Sequence, residues 1–132
     1  MTKDVITVHA GTDLAKIMDL MDTNSIRHVP VVDDEGNLVG IISQTDILAT
    51  LQGGDVLPLS DQREMMRGIT AGEIMRTGAF TADPDDELAD AGRTMLENKI
   101  SCLPITEGSR LIGILTASDF VRYVAMQEEA AK

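Results

Sequence analysis

Aromatic residues are scarce in this chain of 132 residues, which has two Phe, one Tyr and no Trp. Basic residues are also few, since 11 Lys and Arg stand against 22 Asp and Glu and leave a formal net charge of −11. Nucleic-acid binding relies on clustered cations along the phosphates and on aromatic rings that stack with bases. The two shortages together predict that the chain has no nucleic-acid partner. A small anionic ligand stays compatible with them, because a few cations in one pocket decide the local charge.

Cysteine, long apolar runs and a leader-like beginning are lacking as well. The single cysteine, Cys102, cannot form an internal disulfide, which is typical of a protein in a reducing cytosol. No apolar run approaches the roughly 20 residues of a membrane span. The first residues do not show a charged region followed by an apolar one, so no signal peptide is predicted. We therefore expect a cytoplasmic protein without a membrane partner.

Signals of catalysis are equally poor. His9 and His28 are the only histidines, and the sequence has no Gly-rich phosphate loop, zinc-protease motif or nucleophile elbow. Cys102 begins an apolar run, which predicts a buried and inert thiol. Cys102 and His28 alone are too few to hold a metal ion. The chain is therefore predicted not to be an enzyme and to contain no metal or resident cofactor.

The sequence does contain an internal repeat. Residues 26–48 and 100–121 both read as strand, tight turn, strand and helix start. Both close on Gly, two aliphatic residues, Ser or Thr, two variable residues and Asp, ending at Asp46 and Asp119. The copies align 74 positions apart before the turn and 73 after it. One residue is thus missing from a turn, where a deletion is tolerated best.

Each copy is predicted to contain a strand, a helix, two strands and a second helix. Apolar residues at positions 14, 17, 18 and 21 recur at helical spacing and predict the first helix. In the first copy, strands are predicted over 5–8, 29–32 and 38–42. One helix is predicted to be capped by Thr12, and a second is predicted to start near Ser43. In the second copy, strands are predicted over 80–81, 102–106 and 111–115. One helix is predicted to be opened by residues 83–86, and a second is predicted to start near Ala117. Between the copies, helical turns are predicted over 61–66 and 70–75.

The repeat resembles a tandem pair of CBS domains (cystathionine-β-synthase-type domains), called a Bateman module. The resemblance is carried by residues 26–33 with 40–46 in the first copy and by 103–105 with 113–119 in the second. The segment 71–75 is similar to the short helix that precedes each repeat of that family. The resemblance implies an α/β fold of two βαββα repeats, packed with pseudo-two-fold symmetry around clefts. It divides the chain into a first repeat without its lead-in helix (1–52), a linker (53–69), a second repeat (70–128) and a frayed tail (129–132).

The resemblance also implies a ligand site. In CBS pairs the closing Asp accepts hydrogen bonds from ribose hydroxyls, nearby Ser and Thr reach sugar or phosphate, basic residues lie over the phosphates, and the first strand lines the adenine. In this sequence the matching residues are Ile6, Thr7, Arg27, His28, Pro30, Ser43, Thr45 and Asp46 in the first copy and Phe80, Thr81, Pro104, Thr116, Ser118 and Asp119 in the second. The second copy has Ser101 and Cys102 in place of the two basic residues. We therefore expect one better site and one weak or empty one.

These residues also have plain structural explanations. Ser43 with Asp46, and Thr116 with Asp119, fit the capping of a helix N-terminus, worth about 0.5–2 kcal/mol per helix. Arg27 would equally serve as a solvated residue paired with one of many carboxylates. The first strand of each copy would equally serve as core. The residues alone leave these alternatives open.

We therefore expect a regulatory sensor that binds an adenosine-containing nucleotide such as AMP, ADP, ATP, S-adenosylmethionine or NAD. Binding would change the conformation and so bias an attached or partner effector domain. The alternative is a ligand-free dimerisation module whose exposed helices bind a partner protein. By analogy with the family, a homodimer is the expected assembly.

Overall fold

The computed structural model describes residues 4–51 and 59–131, with side chains over 4–51 and 61–127. The first part of the predicted linker, up to residue 58, therefore lies outside the described residues. The fold divides into two compact units, one over Ile6–Ala79 and one from Phe80 onward that also includes residues 4–5. Among the described residues, no helix is both long enough and apolar enough to cross a bilayer.

The first unit is a β-hairpin surrounded by four helices. Its elements are α1 (Leu14–Asn24), β1 (His28–Val32), β2 (Leu38–Ser43), α2 (Gln44–Leu51), α3 (Leu59–Arg67) and α4 (Ala71–Ile74). The strands pair antiparallel with Pro30 opposite Ile41. Their turn is closed by the Asp33 carboxylate, which accepts the N–H groups of Glu35 and Asn37, each at 2.9 Å. These elements match the predicted ones closely.

Two sequence predictions in this unit are wrong in detail. Residues 5–8 do not form a strand; Val8 alone makes a parallel bridge to β1, donating to the Pro30 carbonyl at 3.1 Å. Helix α1 is capped by Asp13 instead of Thr12, because the Asp13 Oδ1 atom accepts the Lys16 N–H at 2.9 Å.

The core of the first unit lies between the hairpin and the helices. Its fully buried side chains include Leu14, Ile17, Met21, Val29, Pro30, Val31, Ile42 and Ile47. The segment after residue 58 covers one side of this core, where α3 packs on α1 and buries Met66. The Leu14 N–H also donates to the Ile69 carbonyl at 2.9 Å. The segment predicted as linker and lead-in helix therefore belongs to this compact unit, and the predicted domain limits stay a prediction.

The second unit repeats the hairpin with fewer helices around it. Its elements are α5 (Leu88–Asn98), β3 (Cys102–Glu107), β4 (Arg110–Thr116) and α6 (Ala117–Ala131). The predicted strand at 80–81 is wrong, because Ala82 alone bridges to Ile105. Residues 83–86 form a turn ahead of α5, which begins five residues after Asp83. Fraying of the end of α6 stays a prediction.

The second core is smaller than the first. It consists of Ala82, Ala91, Met95, Leu103, Ile105 and Leu115. Leu88, which aligns with the fully buried Leu14, is 37% exposed. The duplicated sequence thus produces two hairpins of the same kind but two cores of different depth.

Candidate functional site

The motif that closes the first copy lies where β2 runs directly into α2. The Asp46 Oδ2 atom accepts the Ser43 N–H at 3.1 Å, and the Ser43 Oγ atom accepts the Asp46 N–H at 3.0 Å. This reciprocal arrangement is a capping box, so the structural explanation of the motif is confirmed. It also fixes the carboxylate at the start of the helix, where its side chain is 11% exposed.

A residue that the sequence analysis did not select completes this site. Arg76 donates to the Asp46 Oδ1 atom through Nε at 3.0 Å and through Nη2 at 2.9 Å. Two backbone hydrogen bonds hold it there, from the Arg76 N–H to the Ile41 carbonyl at 2.9 Å and from the Ile41 N–H to the Arg76 carbonyl at 3.0 Å. The available signal was its position directly after the family-like segment 71–75. A pairing across 30 residues, however, cannot be read from the sequence.

The two predicted basic residues stand at the end of the hairpin where this carboxylate lies. His28 stands opposite Ser43 in the hairpin register, and the Arg27 carbonyl accepts the first N–H of α2, from Gln44, at 2.9 Å. Burial lowers the pKa of His28 below the usual imidazole value; the Asp46 charge opposes this and the Arg27 charge adds to it. The structure therefore brings Arg27, His28, Ser43 and Asp46 together at one end of the hairpin.

The other residues of the first set differ in accessibility. Thr7 and Thr45 are exposed, and Ile6 is half-buried next to the Val8 bridge. Pro30 is fully buried inside the unit, where its carbonyl accepts the Val8 N–H. Binding roles for these residues stay predictions.

The second copy builds the same local geometry. The Asp119 Oδ2 atom accepts the Thr116 N–H at 2.9 Å, and the Thr116 Oγ1 atom accepts the Asp119 N–H at 3.4 Å. The Ser101 carbonyl accepts the Ala117 N–H at 2.9 Å, as Arg27 does for Gln44. Arg122, one turn along α6, lies 3.5 Å from the Asp119 Oδ1 atom.

Cys102 occupies the place that His28 has in the first copy, opposite Thr116 in the register. Burial, with a smaller contribution from the Asp119 charge, raises the pKa of the Cys102 thiol to about 12. The thiol is therefore neutral and buried, as the sequence predicted. Phe80, Thr81 and Ser118 are exposed, whereas Pro104 is fully buried.

The Asp46 carboxylate is expected to titrate in a way that reports its partners. Burial raises its pKa, but hydrogen bonds from Arg76 and Ser43 outweigh this and hold the pKa below the usual aspartate range. The stability from this shift is present above the unfolded-state pKa and is lost as pH falls through the lowered folded-state pKa. Replacing Arg76 with alanine should therefore raise the Asp46 pKa, measured by carboxyl NMR titration.

The matched control for this titration is Arg63→Ala, which removes a guanidinium paired with Asp19 on α1. That change should leave the Asp46 pKa where it is. An Asp46 midpoint that is the same in the native protein and in Arg76→Ala would contradict the pairing.

Comparison with known proteins gives the following matches. The family model of the CBS domain matches residues 1–53 and 71–126. A crystal structure of CBSX2 in complex with AMP has a TM-score of 0.81 at 29% identity, covering 97% of this chain and 94% of that one. The CBS domain pair of protein MJ0100, in complex with 5-methylthioadenosine and S-adenosyl-L-methionine, has a TM-score of 0.81 at 27% identity, covering 96% and 93%.

An uncharacterized protein of Methanocaldococcus jannaschii is 34% identical over 142 residues, covering 99% of this chain. The chain spans only 32% of that protein and 40% of a second uncharacterized protein of the same organism. The match therefore concerns one module within longer relatives.

Proposed function

The chain belongs to the CBS-domain family as a tandem pair of its repeats, and from that premise we propose that it is a regulatory module that binds an adenosine-containing nucleotide. Two structural neighbours that match nearly the whole chain hold such ligands, AMP in one and methylthioadenosine with S-adenosylmethionine in the other. Ligand binding biases the conformation of the module and so regulates an attached or partner domain. The module has no chemistry of its own.

The observation that carries this proposal is the position of Asp46. Its carboxylate is fixed at the first turn of a helix, and carboxylate oxygens accept hydrogen bonds from the two hydroxyls of a ribose. Helix N-termini also attract anions through their free N–H groups. Arg27 and His28 stand at the same end of the hairpin and supply donors for a phosphate.

The second copy supports a weaker site. Thr116 and Asp119 reproduce the capping geometry, but the place of His28 is taken by the neutral thiol of Cys102. A phosphate there would meet hydroxyl and N–H donors instead of the two basic side chains. We therefore propose that the site of Asp46 binds the nucleotide more tightly than the site of Asp119 does.

A thermal-shift series with adenosine, AMP, ADP, ATP, S-adenosylmethionine and NAD tests the proposal. A ligand present at about 100 times its dissociation constant should stabilise the folded state by about 2.7 kcal/mol. GMP and CMP serve as controls that keep the ribose phosphate and change the base. If no adenosine compound raises the melting temperature at millimolar concentration, the proposal is wrong.

The second candidate, a dimerisation module, is favoured by one observation. Helix α6 exposes Val121, Tyr123, Val124 and Met126, and large exposed apolar groups mark interaction surfaces. A second copy of the chain is the partner we propose for these exposed side chains. Sedimentation analysis with and without AMP separates the candidates, because a dimer that responds to no adenosine compound would favour the second one.

A further inference from the structure

The Asp46 carboxylate is already largely occupied by protein groups. Its Oδ1 atom accepts two N–H groups of Arg76, at 3.0 and 2.9 Å, and its Oδ2 atom accepts the Ser43 N–H at 3.1 Å. A carboxylate offers about four lone-pair positions. One position is therefore left for a ligand, whereas the two hydroxyls of a ribose need two.

The two groups on Asp46 differ in how easily they leave. The Ser43 N–H is part of the backbone where β2 enters α2, and α2 begins with this bond in place. Arg76 has its backbone tied to Ile41, but its side chain is 73% exposed and packs little against the unit. The guanidinium can therefore swing away from Asp46 while the backbone stays in place.

We propose that Arg76 is a built-in competitor of the ligand at the first site: it holds the Asp46 carboxylate in the free protein and must release it before a ribose can bind with both hydroxyls. This inference rests on the proposed function. It adds a residue that lowers affinity and thereby sets the ligand concentration to which the module responds.

The competitor is specific to the first copy. Among the described side chains, the guanidinium that pairs with Asp119 is that of Arg122, which lies farther away at 3.5 Å and belongs to the same helix as Asp119. Arg76 therefore lowers the affinity of the first site relative to the second and opposes the advantage given by Arg27 and His28.

The test uses adenosine, because this ligand has a ribose but no phosphate that could attract Arg76. Titration calorimetry should show Arg76→Ala binding adenosine about fivefold more tightly than the native chain, the scale of a partly exposed ion pair. Arg76→Lys, a point charge without the planar fork, should fall between them. The control Arg63→Ala removes the same charge from another paired, half-exposed guanidinium and should leave adenosine affinity unchanged.

Salt provides a second measurement on the unmodified protein. Because salt screens the Arg76–Asp46 pair and adenosine has no charge, adenosine should bind the native chain more tightly at high salt. The Arg76→Ala variant should lose this dependence.

The outcomes separate the two proposals. If the native chain binds adenosine and Arg76→Ala binds it equally or more weakly, the competitor is refuted and the ligand-binding function stands. If neither chain binds adenosine or AMP, the proposed function fails and the competitor fails with it. Tighter binding of adenosine by Arg63→Ala as well would assign the effect to net charge and would also refute the competitor.

Discussion

Replacing Asp46 with alanine is expected to weaken AMP binding about thirtyfold or more. The change removes a charged acceptor for the ribose hydroxyls, and a hydrogen bond to a charged group is worth about 1.5–3 kcal/mol. It also removes the acceptor of the Ser43 N–H, so the free energy of unfolding should fall by about 0.5–2 kcal/mol. Titration calorimetry at a temperature where the variant is folded separates the two effects.

The chain offers matched comparisons for this result. Asp19→Ala removes an aspartate that is also paired with an arginine, but on α1, and should leave AMP affinity unchanged. Arg27→Ala should weaken AMP binding, and Asp119→Ala should weaken it less than Asp46→Ala. Equal losses from the two aspartate changes would contradict the ranking of the two sites.

The largest effect on stability is expected from Leu14→Ala. Leu14 is fully buried in the core that Met66 of α3 joins, and removing such a side chain typically costs about 2–5 kcal/mol. Leu88→Ala is the matched change at the aligned position of the second copy. Because Leu88 is 37% exposed, its loss should cost less than about 1 kcal/mol.

Urea unfolding of the native chain and the two variants measures these costs. The slope of the unfolding free energy against urea concentration should be the same in all three proteins if the unfolded state is unchanged. A loss from Leu88→Ala as large as that from Leu14→Ala would show that the second core is deeper than described. The comparison is informative because the two leucines occupy the same place in a duplicated sequence.

The family and the α/β CBS fold were predicted correctly from the sequence. The β-hairpins, the helices that follow them and the capping role of Asp46 and Asp119 were also predicted, because each depends on residues close together in the chain. The binding roles of the selected residues stay predictions. The short first strands were wrong, since two to four β-branched or aromatic residues signal a strand even where a single bridge is all that forms.

The sequence by itself determined the duplicated hairpins, their turns and the carboxylate at the start of each following helix. These features are local, since a cap joins residues three positions apart and a hairpin joins neighbouring strands. Only the tertiary structure decided that Arg76 meets Asp46 and that Leu14 is covered while Leu88 is not. The segment 59–76 supplies Arg76 to Asp46 and the Ile69 carbonyl to the N–H of Leu14. A pairing over 30 or more residues follows from packing of the whole unit, which no local pattern specifies.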